Sequence, residues 1–252
     1  MPCNPWINQL AKGRSFVDVG GLWNTVNERV TIAAKAGASA VTMVDAMDKE
    51  NAWWAKFFER CKQQGVDCPN NIVANVDAPN FSKKVGKYDV VHCSGIIYHC
   101  PHPLYSVSQL AKITNEYLIL GSTRIPTIVS NRKGALRMEE GSALFVPVLN
   151  ATQKAVLAEF LEEAGGFAFG ITSPTNWGLK NYDPWWHIFT DRYIEGLLTA
   201  CGFEVLDSVE AWGGRSKYFL AKKVPSPLPE QRATEAQLET QDLAEEAVNE
   251  LG

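Results

Sequence analysis

Three aspartates and a group of imidazoles are the residues of this chain whose types and spacing could do chemistry. Asp18 opens the segment Asp18-Val-Gly-Gly-Leu-Trp-Asn24, which follows a short apolar run. Its paired glycines, Gly20 and Gly21, let backbone approach a ligand with no Cβ in the way, and the helix start beyond them offers free N–H groups. Asp45 ends the run Ala40-Val-Thr-Met-Val-Asp45, twenty-five residues beyond Gly20. A carboxylate placed there can accept both hydroxyls of an adenosine ribose. Asp77, in Asn75-Val-Asp-Ala-Pro79, could accept from an adenine amino group. Loop aspartates also serve as ordinary turn and cap residues, so each alone says little. Three acids at three successive strand ends say more.

The imidazoles fall in two places. His92, His99 and His102 lie among Cys93 and Cys100, all soft-metal ligand types. The spacing argues against a metal, because His92 and Cys93 point to opposite faces of a strand and His99 and Cys100 are likewise adjacent. Cys93 reads as a packed core thiol. His99 follows a strand end and could remove a proton from a hydroxyl or amine, or be a structural histidine of its loop. His187, in Tyr182-Asp-Pro-Trp-Trp-His-Ile-Phe189, is the rival base. Around it, Tyr182, Trp185 and Trp186 form either a stacking wall for a ring or sugar face or the apolar underside of a lid. Arg124 is either an anion clamp or a solvated loop charge.

The elements that must position these groups follow from apolar periodicity. Runs at Ser15–Gly20, Ala40–Asp45, Asn71–Val76, Tyr88–Cys93 and Glu116–Gly121 read as strands, separated by helices at Val26–Ala36, Asn51–Gln64 and Leu104–Ile113. Trp54, Phe57, Phe58 and Cys61 share one face of the second helix. This alternation predicts an α/β, Rossmann-like doubly wound sheet covered on both faces. Residues 122–189 break the rhythm with one clear helix, Ala151–Ala164, and so long a stretch reads as a substrate-binding insertion, a cap before the last helix. That last helix runs Asp191–Cys201, with Thr190 as N-cap and Gly202 ending it. Strands at Phe203–Val209 and Tyr218–Val224, joined through Gly213-Gly214, form a C-terminal antiparallel hairpin and complete a mostly parallel seven-stranded sheet.

Composition narrows the class. Apolar residues at 46% and charged residues at 21% of 252 residues fit a single globular α/β domain, spanning 1–224. From Pro225 onward, seven acids against Arg232 give a net −6, which leaves +2 for the first 224 residues within a total of −4. The acidic stretch 225–252 reads as a mobile tail, with a transient helix near Ala233–Leu251. A body at +2 lacks the strongly basic footprint of a dedicated nucleic-acid binder. No leader-like segment or membrane-length apolar run is present, so a cytoplasmic location with reduced thiols is expected.

In its order of motifs the chain resembles the class I S-adenosylmethionine-dependent methyltransferases, over Phe16 to about Val224. Carried over by position, Asp18, Gly20, Gly21, Leu22 and Asn24 resemble the glycine-rich motif around the methionine part of the cofactor. Asp45 falls where that family places its ribose-binding acid, Ala46 and Met47 beside the adenine, and Asp77-Ala78 at the adenine edge. The segment Tyr88-Asp-Val-Val-His-Cys-Ser-Gly-Ile-Ile-Tyr-His-Cys-Pro-His-Pro103 is similar to the fourth motif of a subgroup that includes tRNA wobble-uridine methyltransferase-like enzymes and small-molecule methyltransferases. It puts Ser94 and Gly95 against the cofactor and Tyr98 near the acceptor. Leu22 and Asn24 stand where the family has glycines. The resemblance implies methyl transfer from S-adenosylmethionine to a small-molecule or sugar-type acceptor, at oxygen, by in-line displacement, with no metal. The alternatives are a tRNA acceptor, for which Arg124, Arg132, Lys133, Arg137 and Lys180 could supply a basic surface, an NAD-dependent oxidoreductase, and a non-catalytic cofactor-binding module. The NAD reading is opposed by the first turn, which lacks the Gly-x-Gly-x-x-Gly spacing that seats a pyrophosphate.

Overall fold

The computed structural model describes residues 1–23, 28–67, 69–163, 171 and 184–224. Asn24, Lys180, Tyr182 and the acidic tail lie outside the described residues, as do the first residues of the helix expected from Val26. Five strands alternate with helices in the first half of the chain: β1 (Ser15–Val19), β2 (Ala40–Asp45), β3 (Asn70–Val73), β4 (Tyr88–Ser94) and β5 (Thr114–Thr123). They are interleaved with α2 (Val30–Lys35), α3 (Ala52–Gln63), α4 (Phe81–Val85) and α5 (Pro103–Ile113), and preceded by α1 (Asn4–Leu10). The chain closes with α7 (Asp191–Ala200), β10 (Phe203–Ala211) and β11 (Ser216–Lys223).

These seven strands make one sheet in the order β10-β11-β5-β4-β1-β2-β3, with β1 to β5 parallel and β11 antiparallel to both its neighbours. The expected doubly wound sheet with its closing hairpin is therefore present. The chain reverses direction across the sheet between β1 and β4, the switch point at which such sheets bind ligands. Central strands are buried on both faces, which is why they read as unbroken apolar runs. The edge strand β10 is only intermittently buried, exposing Glu204, Leu206, Asp207 and Glu210.

Two layers cover the sheet. One apolar cluster joins α4, α5, α6 (Ala151–Glu162) and α7 to the sheet through Phe81, Leu110, Leu157 and Leu198, and reaches β10 and β11 at Phe203 and Phe219. On the opposite face Cys3, Ile7 and Ala11 of the α1 segment pack with Phe16, Val90, Ile119 and Tyr218. Trp54, Phe57 and Cys61 of α3 form a third cluster with Met43 and Leu22, as the helical spacing predicted, while Phe58 is only partly buried.

The segment between β5 and α7 departs from the expectation of a single helix. Strand β5 runs on through Thr123, and two short ribbons then appear: β6 (Ile128–Asn131) with β7 (Gly134–Arg137), and β8 (Ala143–Phe145) with β9 (His187–Phe189). Helix α6 (Ala151–Glu162) begins with a full capping box between Asn150 and Gln153. Thr190 is the N-cap residue of α7 as expected, but its hydroxyl donates to the Ser142 carbonyl at 2.9 Å instead of capping. The closing hairpin is part of the core: Phe219→Ala should lower the unfolding free energy by ~3–5 kcal/mol in urea titration, whereas Leu206→Ala on half-exposed β10 should stay within ~0.5 kcal/mol.

Candidate functional site

Near the carboxyl end of β1, Asp18 is fully buried and shared between two partners. Asp18 and His92 are register neighbours on β1 and β4, and Asp18 Oδ1 lies 2.7 Å from His92 Nδ1. Its Oδ2 accepts from the Arg29 backbone N–H at 2.6 Å. Burial alone would press the His92 pKa down, but the charge and hydrogen bond of Asp18 outweigh it and hold it at about 9. His92 is thus a protonated partner of Asp18 and no metal ligand.

The glycine turn is shaped by this carboxylate. A Cβ on Gly21 would sit 2.3 Å from Asp18 Oδ2, and one on Gly20, whose φ is +79°, would strike the Ile96 side chain at 2.2 Å. Neither position tolerates a larger residue. Leu22, where a glycine was expected by resemblance, solves a different problem. Its side chain is buried with Val30, Met43 and Trp54, while its N–H faces upward and donates to Asp45 Oδ2 at 3.2 Å.

Asp45 ends β2 and takes the Met47 N–H on its other oxygen at 3.0 Å. Burial raises its pKa against these backbone donors, which pull the other way. Met47 is fixed in turn by the Trp54 indole N–H, which donates to its carbonyl at 3.0 Å. Ala46 lies between these two anchored positions. The strand-end groups of β1 and β2 therefore form one continuous cradle: Asp18, Gly20, Gly21, Leu22, Asp45 and Met47.

Asp77 is farther out and partly committed. Its Oδ1 accepts from the Ser106 hydroxyl of α5, its N–H donates to Asn75 Oδ1 at 3.0 Å, and the Ala78 N–H donates to the Asn75 carbonyl at 2.9 Å. Asp77 lines an open cleft of about 880 Å³ with Pro101, His102, Tyr105, His187 and Tyr193. At the end of β4, Ser94 Oγ donates to the Tyr218 hydroxyl at 3.0 Å, and Ser94, Gly95 and Tyr98 border a small cavity with Ser122, Thr123 and Trp212.

The structure separates the two candidate bases. His99 Nδ1 lies 3.1 Å from the Pro184 carbonyl, to which it donates, and burial pushes its pKa down to about 4. The Trp186 N–H donates to the Tyr98 carbonyl at 2.7 Å, so two hydrogen bonds tie the β4 loop to the chain entering β9. Trp185 packs on Tyr98 with ring centroids 4.6 Å apart, and Trp186 stacks on Phe145. Both tryptophans are buried, so they are packing residues and not an open stacking wall. His187 instead lines the cleft. Its Nδ1 has no hydrogen-bond partner among the described residues, and burial, aided by His102, lowers its pKa despite the Cys100 backbone.

Arg124 is no anion clamp. It is paired through Nε with Asp191, and its Nη1 reaches Glu210 at 3.4 Å and the Gly214 carbonyl at 2.8 Å. It joins the end of β5 to α7 and the closing hairpin. Sequence reasoning missed Arg29, which sits behind the cradle with its guanidinium almost entirely buried. The available signal was an arginine immediately before the apolar start of α2. Among the described residues no group of three His, Cys, Asp or Glu side chains gathers as a metal site.

No protein-family model and no curated protein matches the sequence. Solved structures do match in shape. Magnesium protoporphyrin IX methyltransferase from Synechocystis PCC 6803, with bound S-adenosylhomocysteine, superposes with a TM-score of 0.53 at 15% identity, over 88% of this chain and 80% of that one. The 1,6-didemethyltoxoflavin-N1-methyltransferase of Burkholderia thailandensis, with 1,6-didemethyltoxoflavin and S-adenosylhomocysteine, gives 0.53 at 14% identity over 89% and 77%. An O-methyltransferase family protein from Burkholderia thailandensis gives 0.54 at 14% identity over 90% and 56%. With this strand order and these neighbours, the chain has the Rossmann-like fold of the class I S-adenosylmethionine-dependent methyltransferases.

Proposed function

We propose that this chain is an S-adenosylmethionine-dependent methyltransferase acting at an oxygen of a small ring-shaped acceptor. The observation that carries the reading is the strand-end cradle. Asp45, held by two backbone N–H groups at the end of β2, stands beside a turn in which Gly20 and Gly21 admit no side chain. These residues fit the cofactor: Asp45 would accept from the ribose hydroxyls, Ala46 and Met47 would border the adenine, and the Gly20–Leu22 backbone would face its amino-acid end. When bound, the cofactor supplies a methyl carbon already made electrophilic by a sulfonium, so the protein's part is to orient a nucleophile and exclude water.

The 880 Å³ cleft is the proposed acceptor site. Its proline and tyrosine walls suit a flat ring, and a hydroxyl placed against His187 would lose its proton to the imidazole. We assign the base to His187 and a positioning part to His99, because His99 spends Nδ1 on Pro184 and a base held at about 4 is too weak to activate a hydroxyl near neutrality. Ring substrates in the printed names of two structural neighbours support this acceptor class.

The tRNA alternative finds less support. Arg124 is neutralised by acids, and Arg132 pairs with Glu159 at 3.0 Å. No helix among the described residues is long and apolar enough to cross a membrane, and the five described cysteines form no disulfide with one another, which suits the cytoplasm we propose as its location.

Two measurements check this reading. In calorimetric titration with S-adenosylhomocysteine, wild type should bind and Asp45→Ala should lose on the order of 10²-fold in affinity; absence of wild-type binding sinks the cofactor assignment. His187→Ala should keep that affinity but lose ~10²–10⁴ in turnover on a panel of phenolic and hydroxylated heteroaromatic acceptors. Because the base must be unprotonated and burial lowers its pKa, the wild-type rate should be flat at neutral pH and fall only as pH drops below the ordinary histidine value of 6.5. A rate that collapses in His99→Ala and survives in His187→Ala would transfer the role to His99.

A further inference from the structure

The most unusual group outside the cradle's visible donors is the guanidinium of Arg29. Only 3% of the residue is exposed, yet its Nε and Nη2 have no hydrogen-bond partner among the described residues. Nη1 donates to the Glu28 carbonyl at 2.7 Å. A guanidinium carries its charge at every physiological pH, and burying it with two nitrogens unpaired is costly unless something else completes the shell.

The acids nearby are already taken. Asp18 is shared between His92 and the Arg29 backbone, and Glu28 binds Thr31 through both carboxylate oxygens and pairs with Arg60. Asp18 pairs with His92 and Glu28 with Arg60, so both carboxylates already have a side-chain partner other than Arg29. The guanidinium also acts on the Cys3 thiol and the Tyr218 hydroxyl. Tyr218 accepts from Ser94 at the carboxyl end of β4, so the charge lies at the same strand edge as the glycine turn.

We propose that Arg29 is a carboxylate clamp: its free Nε and Nη2 take the α-carboxylate at the methionine end of the cofactor, with the Tyr218 hydroxyl beside them. The assignment rests on the cofactor reading above. Planar forks of this kind match carboxylates in two-point fashion, which a lysine cannot reproduce. It also gives Tyr218 a place in ligand binding, although it belongs to the closing hairpin and not to any recognisable motif.

Three ligands test it by calorimetry: S-adenosylhomocysteine, S-adenosyl-3-thiopropylamine, which keeps the amine but has no carboxylate, and 5′-methylthioadenosine, which lacks the amino-acid end. Wild type should prefer S-adenosylhomocysteine over the thiopropylamine by about tenfold or more. Arg29→Met should erase that preference and leave affinity for the other two within about threefold. Equal wild-type affinity for the first two, a preference that survives in Arg29→Met, or an equal loss for all three ligands would each overturn the clamp. Should the variant fail to fold, 15N spectra of wild-type arginine side chains decide. A buried Nε–H resonance should move with S-adenosylhomocysteine and stay in place with the thiopropylamine, and its failure to move would overturn the assignment. If wild type binds none of the three, the cofactor reading itself fails; binding without preference removes the clamp alone.

Discussion

The carboxyl edge of the sheet is registered to one buried ion pair, Asp18 with His92, which crosses from β1 to β4 where the chain reverses direction. Two charges without solvent are tolerable only if nearly every lone pair and proton is used, and removing one partner would strand the other at a cost of several kcal/mol. Here Asp18 adds the Arg29 N–H to its imidazole partner, so the same carboxylate that locks β1 to β4 also fixes the start of α2. Gly21 has no side chain because that carboxylate occupies the space. The raised pKa of His92 follows from the pair and, in its turn, brings the Cys3 thiol down against its burial, which links the N-terminal segment to the same centre.

The second constraint lies between the β4 loop and the segment before α7. His99 and Trp186 bind across this junction through Pro184 and Tyr98, and an isolated parallel bridge couples Arg124 to Phe189. The buried tryptophans then face protein, and His187 borders the cleft together with His102. On the short strand β9, His187 and Phe189 share one face and stack with ring centroids 5.9 Å apart, His187 bordering the cleft and Phe189 fully buried. In the proposed function, the sheet holds the cofactor and this strand presents the base.

Much of the fold was legible because buried parallel strands are apolar on both faces and are punctuated by glycine turns. Ser15 to Val19 and Ala40 to Asp45 stand out for that reason, as does the face of Trp54, Phe57 and Cys61. The strands β6 to β9 were not legible. They are three or four residues long and paired only in twos, so no period of two has room to develop. Helix α1 escaped because it is short and carries Pro5 in its first turn, a position where proline is tolerated but reads as a breaker. The acids were found by their places at strand ends. The fate of Arg124 was not, since its partners Asp191 and Glu210 are far along the chain, and long-range ion pairs leave no local pattern.

Leu22 and Arg29 share a physical explanation. In a turn that passes directly into a helix, the first free N–H groups and the helix dipole can receive a ligand's negative charge. The helix described beyond this turn, α2, begins at Val30, ten residues after Gly20, and is six residues long. Leu22 instead spends its side chain on the core and its N–H on Asp45, which stiffens the turn without offering an anion anything further. The residue at the N-cap position of α2 is an arginine whose backbone is pinned by Asp18 and whose guanidinium is buried, with Nε and Nη2 unpaired among the described residues. In the proposed clamp, Leu22 in the core and the buried cation of Arg29 are two parts of one arrangement, in which a side-chain charge receives the anion.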